Sequence, residues 1–370
     1  MKIKTVELLK ALEAMNALNH QREPIANLVL MAFDPVDDML TLQRATYEEI
    51  FCFTLEGSVG EMDVWRRCVK FKPLLNVVKR LKKEKTIHLK PNETHGLKVE
   101  NLTLAGLNPD KAPSFLTYSE FEERREIETK EFKEAMEVCS SFMSDNEARK
   151  NLTGLNLKSE EGKRAWTSGD GFRIARYQPE KEVSVEDYEV LLPSHLVKTW
   201  KKAIKFIDDE IISFSCIKTE EEILIAGRNF DYVCRYHSYL EFPNLDSLLK
   251  TGEPLLTTKT ADVLDAMELL KAAVEPTPES VIKLQLSEEK ALILSQPDEE
   301  NSQTKVELKQ FKIHKPFKIG LNFKFFHDAL KIAKSRKIER LEMFCNNSES
   351  PLVIQHETDT LTILPVKIKW

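Results

Sequence analysis

A Thr followed six residues later by an Ala, inside an apolar stripe at helical spacing, occurs three times in this chain. The copies are Ile3 to Leu12 (IKTVELLKAL), Ile127 to Met136 (IETKEFKEAM) and Thr258 to Met267 (TKTADVLDAM), and they align without gaps. Thr5, Thr129 and Thr260 share one column and Ala11, Ala135 and Ala266 another, while Leu8, Phe132 and Val263 lie one turn before Leu12, Met136 and Met267. Apolar residues three and four apart cover one helix face, and a Thr ahead of them reads as an N-cap. A second helical pattern follows each copy: Val69 to Leu81, Leu192 to Ile204 and Leu321 to Ala333, starting 64, 63 and 61 residues after the Thr. Internal repetition in this order predicts three tandem domains of one kind.

The intervals carry strand signals. Ile211 to Ile217, Glu221 to Gly227, Ser280 to Leu286 and Lys290 to Gln296 alternate apolar and polar residues, with turns at Lys218-Thr219-Glu220 and Ser287-Glu288-Glu289. Each copy therefore reads as helix, strands, helix, strands, an α+β domain. Pro297 to Lys305 and Asn346 to Ser350 read as loops of the third copy. The segment around Pro109 to Pro113 and Thr251-Gly252-Glu253-Pro254 read as junctions, which sets domains at 1–117, 118–249 and 250–370.

Composition excludes several classes. With 42% hydrophobic and 31% charged residues, the chain has the balance of a soluble globular protein. No apolar run approaches the roughly 20 residues that span a bilayer. The first fifteen residues lack an apolar signal core, so a cytoplasmic protein is expected. Cys52, Cys68, Cys139, Cys216, Cys234 and Cys345 stand singly among apolar neighbours, as buried thiols do, with no metal-ligand spacing. Neither a metal nor another cofactor is expected. Ser168-Gly169-Asp170-Gly171 superficially suggests a phosphate loop but lacks the helix-opening third Gly. His195 and His327 read as surface residues with no nucleophile near them in sequence, so no catalytic residue is assigned.

Charge is distributed unevenly. The net charge is −6, yet the second helical segments are basic: Lys70, Lys72, Lys79, Arg80, Lys82, Lys83 and Lys85 in the first, Lys198, Lys201, Lys202 and Lys205 in the middle. The third carries Lys324, Lys331, Lys334, Arg336 and Lys337 against Asp328. One such stretch is ordinarily a solvated face; three equivalent ones can line a surface and meet phosphates together. The middle opening helix runs the other way, with Glu122, Glu123, Glu126, Glu128, Glu131, Glu134 and Glu137 outnumbering nearby bases. Neither a zinc finger nor a helix-turn-helix pattern is present, which leaves backbone contact without base reading.

On further segments the chain resembles the bacterial sliding clamps, the beta subunit of the replicative DNA polymerase III. The segments are RKNLTGL (Arg149 to Leu155), SGDGFRIA (Ser168 to Ala175), EFPNL (Glu241 to Leu245), the helix opening at Leu321-Asn322 and ILPVKI (Ile363 to Ile368). In the family the first is a strand, the second a turn, the third a corner and the last the C-terminal tail. The resemblance implies three tandem clamp domains with helices lining the inside and antiparallel sheets outside, closed head to tail into a homodimeric ring around duplex DNA. The DNA-facing residues would be Lys79, Arg80, Lys82, Lys83, Lys198, Lys201, Lys202, Lys205, Lys331 and Lys334. DNA polymerase and the clamp loader would bind through short apolar peptides in a groove between domains 2 and 3. Carried over by position, that groove comprises Leu152, Gly169, Gly171, Phe172, Arg173, Ile174, Pro243, Ser247, Leu248, Asn322, Phe325, Thr362, Leu364, Pro365, Val366, Lys367 and Ile368. Without the family, Leu152, Ile174, Leu364 and Ile368 read as ordinary core.

The chain departs from the family pattern at Gly169, where Thr is usual, at Phe172 for His, at Ser247 for Arg, and at Val366 and Lys367 for Met and Arg. The tail also runs on to Lys369 and Trp370. Ring closure would place Leu102 and Leu104 opposite Ala273 and Val274, a pair smaller than the family's. These departures also suit an accessory or mobile-element clamp, or a clamp-like adaptor that binds client peptides without acting as the main replicative clamp.

Overall fold

The computed structural model describes residues 1–18, 23–58, 64–108, 124–181, 187–217, 219–297 and 303–368. The first copy comprises β1 (Lys2–Lys4), α1 (Thr5–Met15), β2 (Leu28–Asp34), β3 (Met39–Ala45), β4 (Glu49–Ser58), β5 (Trp65–Lys70), α2 (Phe71–Arg80), β6 (Thr86–Pro91), β7 (Leu97–Val99) and β8 (Leu102–Leu104). The middle copy repeats the order with β9 (Arg125–Glu128), α3 (Thr129–Cys139), β10 (Leu155–Glu160), β11 (Lys163–Gly169), β12 (Arg173–Tyr177), β13 (Tyr188–Leu192), α4 (Ser194–Ala203), β14 (Ile211–Ile217), β15 (Glu222–Ala226) and β16 (Phe230–Arg235). The third adds one short strand: β17 (Pro254–Lys259), α5 (Thr260–Val274), β18 (Val281–Leu286), β19 (Ala291–Ser295), β20 (Lys305–Glu307), β21 (Phe311–Ile313), β22 (Phe317–Asn322), α6 (Phe323–Ser335), β23 (Arg340–Phe344), β24 (Leu352–His356) and β25 (Asp359–Ile363).

The four strands read from alternation are β14, β15, β18 and β19, each within a residue of its expected ends. Other expectations shift. Lys305 opens β20 and Pro254 opens β17, and Glu147–Leu152 forms short helical turns ahead of β10 where the resemblance suggested a strand. The Pro109 to Pro113 junction, Glu122, Glu123, Lys218, Lys369 and Trp370 lie outside the described residues. Among the described residues, no helix is long and apolar enough to cross a membrane.

Compactness does not follow the three copies. The chain forms two compact units, Met1–Lys133 with His195–Tyr239 and Glu134–Ser194 with Leu240–Trp370, so the middle copy is shared between them. In the first unit the strand order is β8-β7-β6-β1-β4-β16-β15-β14-β9, with β3, β2 and β5 continuing from β4. In the second it is β13-β10-β11-β12-β25-β24-β23-β17-β21, beside a separate sheet β20-β19-β18-β22. Each unit thus contains one seam between copies, an antiparallel strand pair: β4 with β16 in the first and β12 with β25 in the second. Pairing two edge strands satisfies backbone groups that would otherwise face solvent, and it turns two half-sheets into one.

The first unit's seam is aromatic. Phe51 pairs with Tyr232 and Phe53 with Phe230 across it. Fully buried Trp200 of α4 lies 5.6 Å from Phe132, 6.0 Å from Phe51, 5.8 Å from Phe230 and 5.6 Å from Tyr232, the last at 89°. Edge-on and tilted rings at these separations are the favourable aromatic geometries.

The repeated Thr is not an N-cap. Thr5, Thr129 and Thr260 are the first residues of their helices, and the caps of α1 and α5 are Lys4 and Lys259, whose side chains make no capping bond. Each Thr instead donates its backbone N–H to the residue before the strand that follows the second helix: Lys85 at 3.2 Å, Glu210 at 2.8 Å and Glu339 at 2.9 Å. The hydroxyls differ. Thr129 Oγ1 donates to the Asp209 carbonyl at 2.6 Å and Thr260 Oγ1 to that of Ile338, while the buried Thr5 Oγ1 has no partner among the described residues. Thr260→Val is therefore expected to cost about 1 kcal/mol, and Thr5→Val close to nothing, in urea unfolding of the two variants.

The second helices also need one correction. The gapless alignment sets Leu74 against Val197 and Phe326, but the buried sets are Leu74, Leu75 and Val78 in α2, Leu196, Val197 and Trp200 in α4, and Phe326, His327 and Leu330 in α6. The middle helix has slipped by one residue. Pro193 intervenes between β13 and α4, whereas α2 and α6 follow their strands directly; without an N–H, Pro cannot extend the strand ladder. In the corrected register Lys79, Lys201 and Lys331 form the one column that is basic in all three copies, and all three are exposed. Lys82 and Lys83 lie in the turn after α2, and Lys205 in the short turn after α4, rather than on the helices.

Candidate functional site

All seventeen groove positions fall in the second unit. The site grows from the β11–β12 hairpin, where Gly169 pairs with Ile174. Asp170 Oδ1 accepts the N–H groups of Phe172 and Arg173, both at 3.0 Å, which closes the turn. Gly171 sits at φ +91°, in the left-handed region, and a Cβ there would lie 2.2 Å from Arg149 Nη1. Backbone conformation disfavours any other residue here, and a side chain would also displace the tip of Arg149. Arg149 Nη1 in turn donates to the Asp170 carbonyl at 3.2 Å.

Strand pairing brings the C-terminal segment alongside. Arg173 pairs with Ile363 and Ile174 with Thr362. Beyond β25 the Leu364 N–H donates to the Phe172 carbonyl at 2.8 Å and the Val366 N–H to that of Gly320 at 2.9 Å. A Cβ at Gly320 would meet the Val366 carbonyl oxygen at 2.5 Å, so this approach requires glycine. Asn322 caps α6: its Oδ1 accepts the Phe325 N–H at 3.0 Å and its Nδ2 donates to the Pro278 carbonyl at 2.9 Å. The turn at Asp246–Leu248 is tied to β12 by the Arg176–Asp246 ion pair at 2.5 Å.

Burial grades the seventeen residues. Ile174 and Thr362 are buried, as are Gly169 and Arg173. Leu152, Pro243, Leu248, Asn322, Phe325, Leu364, Pro365, Val366 and Ile368 are half-buried, and Gly171, Phe172, Ser247 and Lys367 are exposed. Of the four read as ordinary core, only Ile174 is fully covered. A chain of half-buried apolar side chains with a buried floor is a surface shaped for another apolar group. Thr362 Oγ1 is fully buried and has no partner among the described residues.

Arg173 holds the site together. Its Nε donates to Asp170 Oδ2 at 2.8 Å, its Nη1 to Asp328 Oδ2 at 2.9 Å and its Nη2 to the Ser141 carbonyl at 2.8 Å. The guanidinium lies 4.7 Å from the centre of the Phe142 ring and 4.6 Å from that of Phe325. Phe325 stacks on the half-exposed Phe172 at 6.0 Å, and Arg149 lies 5.7 Å from the Phe172 ring. A planar fork donating in three directions between two ring faces is a geometry open to Arg and closed to Lys. Burial pushes the Asp328 carboxyl up, but hydrogen bonds from Lys324 and Arg173 outweigh it and hold the group below its ordinary range. Sequence reasoning found Arg173 but missed Asp328, Phe142 and Arg149; the one trace of Asp328 was an acid four residues after Lys324 in a basic helix.

The phosphate-loop reading of Ser168 to Gly171 fails on this geometry, because the segment turns from strand to strand and Asp170 is committed to the hairpin. His327 is a correction too: it is buried, 2.8 Å from Glu268 Oε1 on α5, while His195 is partly buried and 3.8 Å from Glu48. Burial raises the Cys52 thiol to about 12 and pushes Cys68, Cys139, Cys234 and Cys345 up as well, so these groups stay protonated near neutrality. Among the described residues no cluster of three His, Cys, Asp or Glu side chains could hold a metal ion.

Lys79, Arg80, Lys82, Lys83, Lys198, Lys201, Lys202 and Lys205 are exposed in the first unit, and Lys331 and Lys334 in the second. Lys79 pairs with Glu13 at 2.8 Å. Leu102, 48% exposed, and the half-buried Leu104 lie on β8, which ends its sheet. Ala273 is exposed and Val274 half-buried at the end of α5.

Two family models match the chain: "DNA polymerase III beta subunit, central domain" over residues 126–241 and "DNA polymerase III beta subunit, C-terminal domain" over residues 250–366. The beta sliding clamp of Rickettsia bellii is 23% identical over 393 residues, covering 99% of each chain. That of Rickettsia felis is 22% identical over 262 residues, 65% of this chain and 66% of that protein. The crystal structure of the DNA polymerase III beta subunit from Thermotoga maritima superposes with a TM-score of 0.85 at 17% identity, covering 100% of this chain and 99% of that one.

Proposed function

We infer from the premise that this chain belongs to the DNA polymerase III beta-subunit family that it is a sliding clamp, a non-catalytic processivity factor working in the cytoplasm. Three domains, at 1–117, 118–249 and 250–370, would pair head to tail with a second copy through the β8 edge, with Leu102 and Leu104, and the Ala273–Val274 end of α5. Six domains then close around duplex DNA. A closed ring cannot leave DNA by breaking contacts, so weak phosphate contacts from the recurrent lysines suffice and sliding is retained. A net charge of −6 fits such a role, because strong bulk attraction would impede sliding.

The groove beside Arg173 would hold DNA polymerase and the clamp loader by short apolar peptides. The observation that carries this reading is its build: a hairpin, a helix start and a C-terminal segment from two copies, fixed around one buried guanidinium, leaving half-buried apolar side chains facing outward. Capture of a consensus clamp-binding peptide tests it. Wild-type protein should bind, and Leu364→Ala should weaken binding about tenfold, the loss of one apolar anchor. Equal binding by wild type and variant would remove the groove from the account.

A further inference from the structure

The exposed face of α6 and the groove hairpin share one carboxylate oxygen. Lys324 Nζ lies 2.7 Å from Asp328 Oδ2, and Arg173 Nη1 lies 2.9 Å from the same atom. Arg173 Nε reaches Asp170 Oδ2 at 2.8 Å, and the other oxygen of Asp170 closes the hairpin turn. Side-chain exposure falls along this series, from 52% at Lys324 to 23% at Asp328 and 6% at Arg173. The chain of charges therefore runs from solvent to the floor of the site. Helical spacing puts Lys324 and Asp328 on one stripe with Lys331, the lysine of the column that is basic in all three copies.

Two cations on one oxygen weaken each other. Arg173 cannot withdraw, because two aromatic rings, the Ser141 carbonyl and Asp170 hold it. Lys324 can, since it is half-exposed on a flexible stem. We propose that Asp328 is a positioning residue that couples the basic stripe of α6 to the client groove: a DNA phosphate that draws Lys324 away leaves the shared oxygen to Arg173, which stiffens the hairpin and tightens peptide binding. Linkage makes the effect reciprocal, so a bound client strengthens the hold on DNA. The proposal rests on reading the groove as a client site and the stripe as phosphate-facing.

A double-mutant cycle tests it, using Lys324→Ala, Asp328→Asn and the pair, with two readouts on the full chain. One is affinity for the consensus clamp-binding peptide, with and without short duplex DNA; the other is the NMR signal of the Arg173 side-chain N–H. Lys324→Ala should tighten peptide binding roughly 1.5- to 5-fold, the range of an exposed ion pair, and should move the Arg173 signal as duplex DNA does in the wild type. Duplex should then have no further effect on Lys324→Ala, and neither effect should survive Asp328→Asn. An Arg173 signal unmoved by Lys324→Ala overturns the coupling, as does tightening that persists without Asp328. A moved Arg173 signal in a protein that binds no peptide upholds the relay and removes the client reading alone. Should Asp328→Asn not fold, Lys324→Gln replaces it: at this exposed position it must reproduce the effect of Lys324→Ala, and failure to do so counts against the proposal.

Discussion

Arg173→Ala is expected to destabilise the second unit by about 3 kcal/mol and to abolish peptide capture, because removing one member of a buried ionic network leaves its partners uncompensated. Asp170 would lose its ion-pair partner at 15% side-chain exposure, and Asp328, at 23%, would keep only Lys324. Phe142 and Phe325 would lose the group between them, and the Ser141 carbonyl its donor. Denaturant unfolding should show the loss as a lower midpoint. Arg173→Lys separates charge from shape: an ammonium can meet one carboxylate but cannot donate to Asp170, Asp328 and Ser141 in one plane, so it should recover only part of the stability and little of the binding.

Trp200→Ala should cost about 3–5 kcal/mol, the range for deleting a large buried aromatic side chain that its surroundings cannot refill. Its ring touches Phe51 and the pair Phe230 and Tyr232 on the two sides of the β4–β16 seam, and Phe132 of α3. The loss falls in the first unit, whereas the groove lies in the second. Trp200→Ala should thus lower the unfolding transition of the first unit in a calorimetric scan while leaving peptide affinity within about twofold of wild type, a change under 0.5 kcal/mol. Trp200→Phe, which keeps a ring in place, should recover most of the stability.

The sequence revealed the copies more readily than the units. Helix spacing and strand alternation are local properties, so α1, α3 and α5 and the strands β14, β15, β18 and β19 were readable directly. The seams were not, because the pairing of Phe51 with Tyr232 or of Ile174 with Thr362 joins residues more than 180 positions apart and no local pattern announces it. The Thr column shows a related limit: its recurrence was correct and its role was not, since each Thr bonds to a carbonyl brought in by the chain after the second helix. Pro193 was visible, yet its displacement of α4 by one residue became clear only from which side chains are buried. At the groove the family resemblance supplied the positions, while the physical reason for Arg173 lay in Asp328 of α6 and in Ser141 and Phe142 of the turn after α3, two segments far apart in sequence.

Retention on circular DNA tests the central claim most directly. Assembled on nicked circular duplex by a clamp loader, the protein should stay with the DNA through gel filtration and should be released when a single cut makes the circle linear, because only a closed ring is held by topology. Equal retention on circular and linear duplex would mean that contacts, not encirclement, hold the protein, and the sliding-clamp account would be wrong.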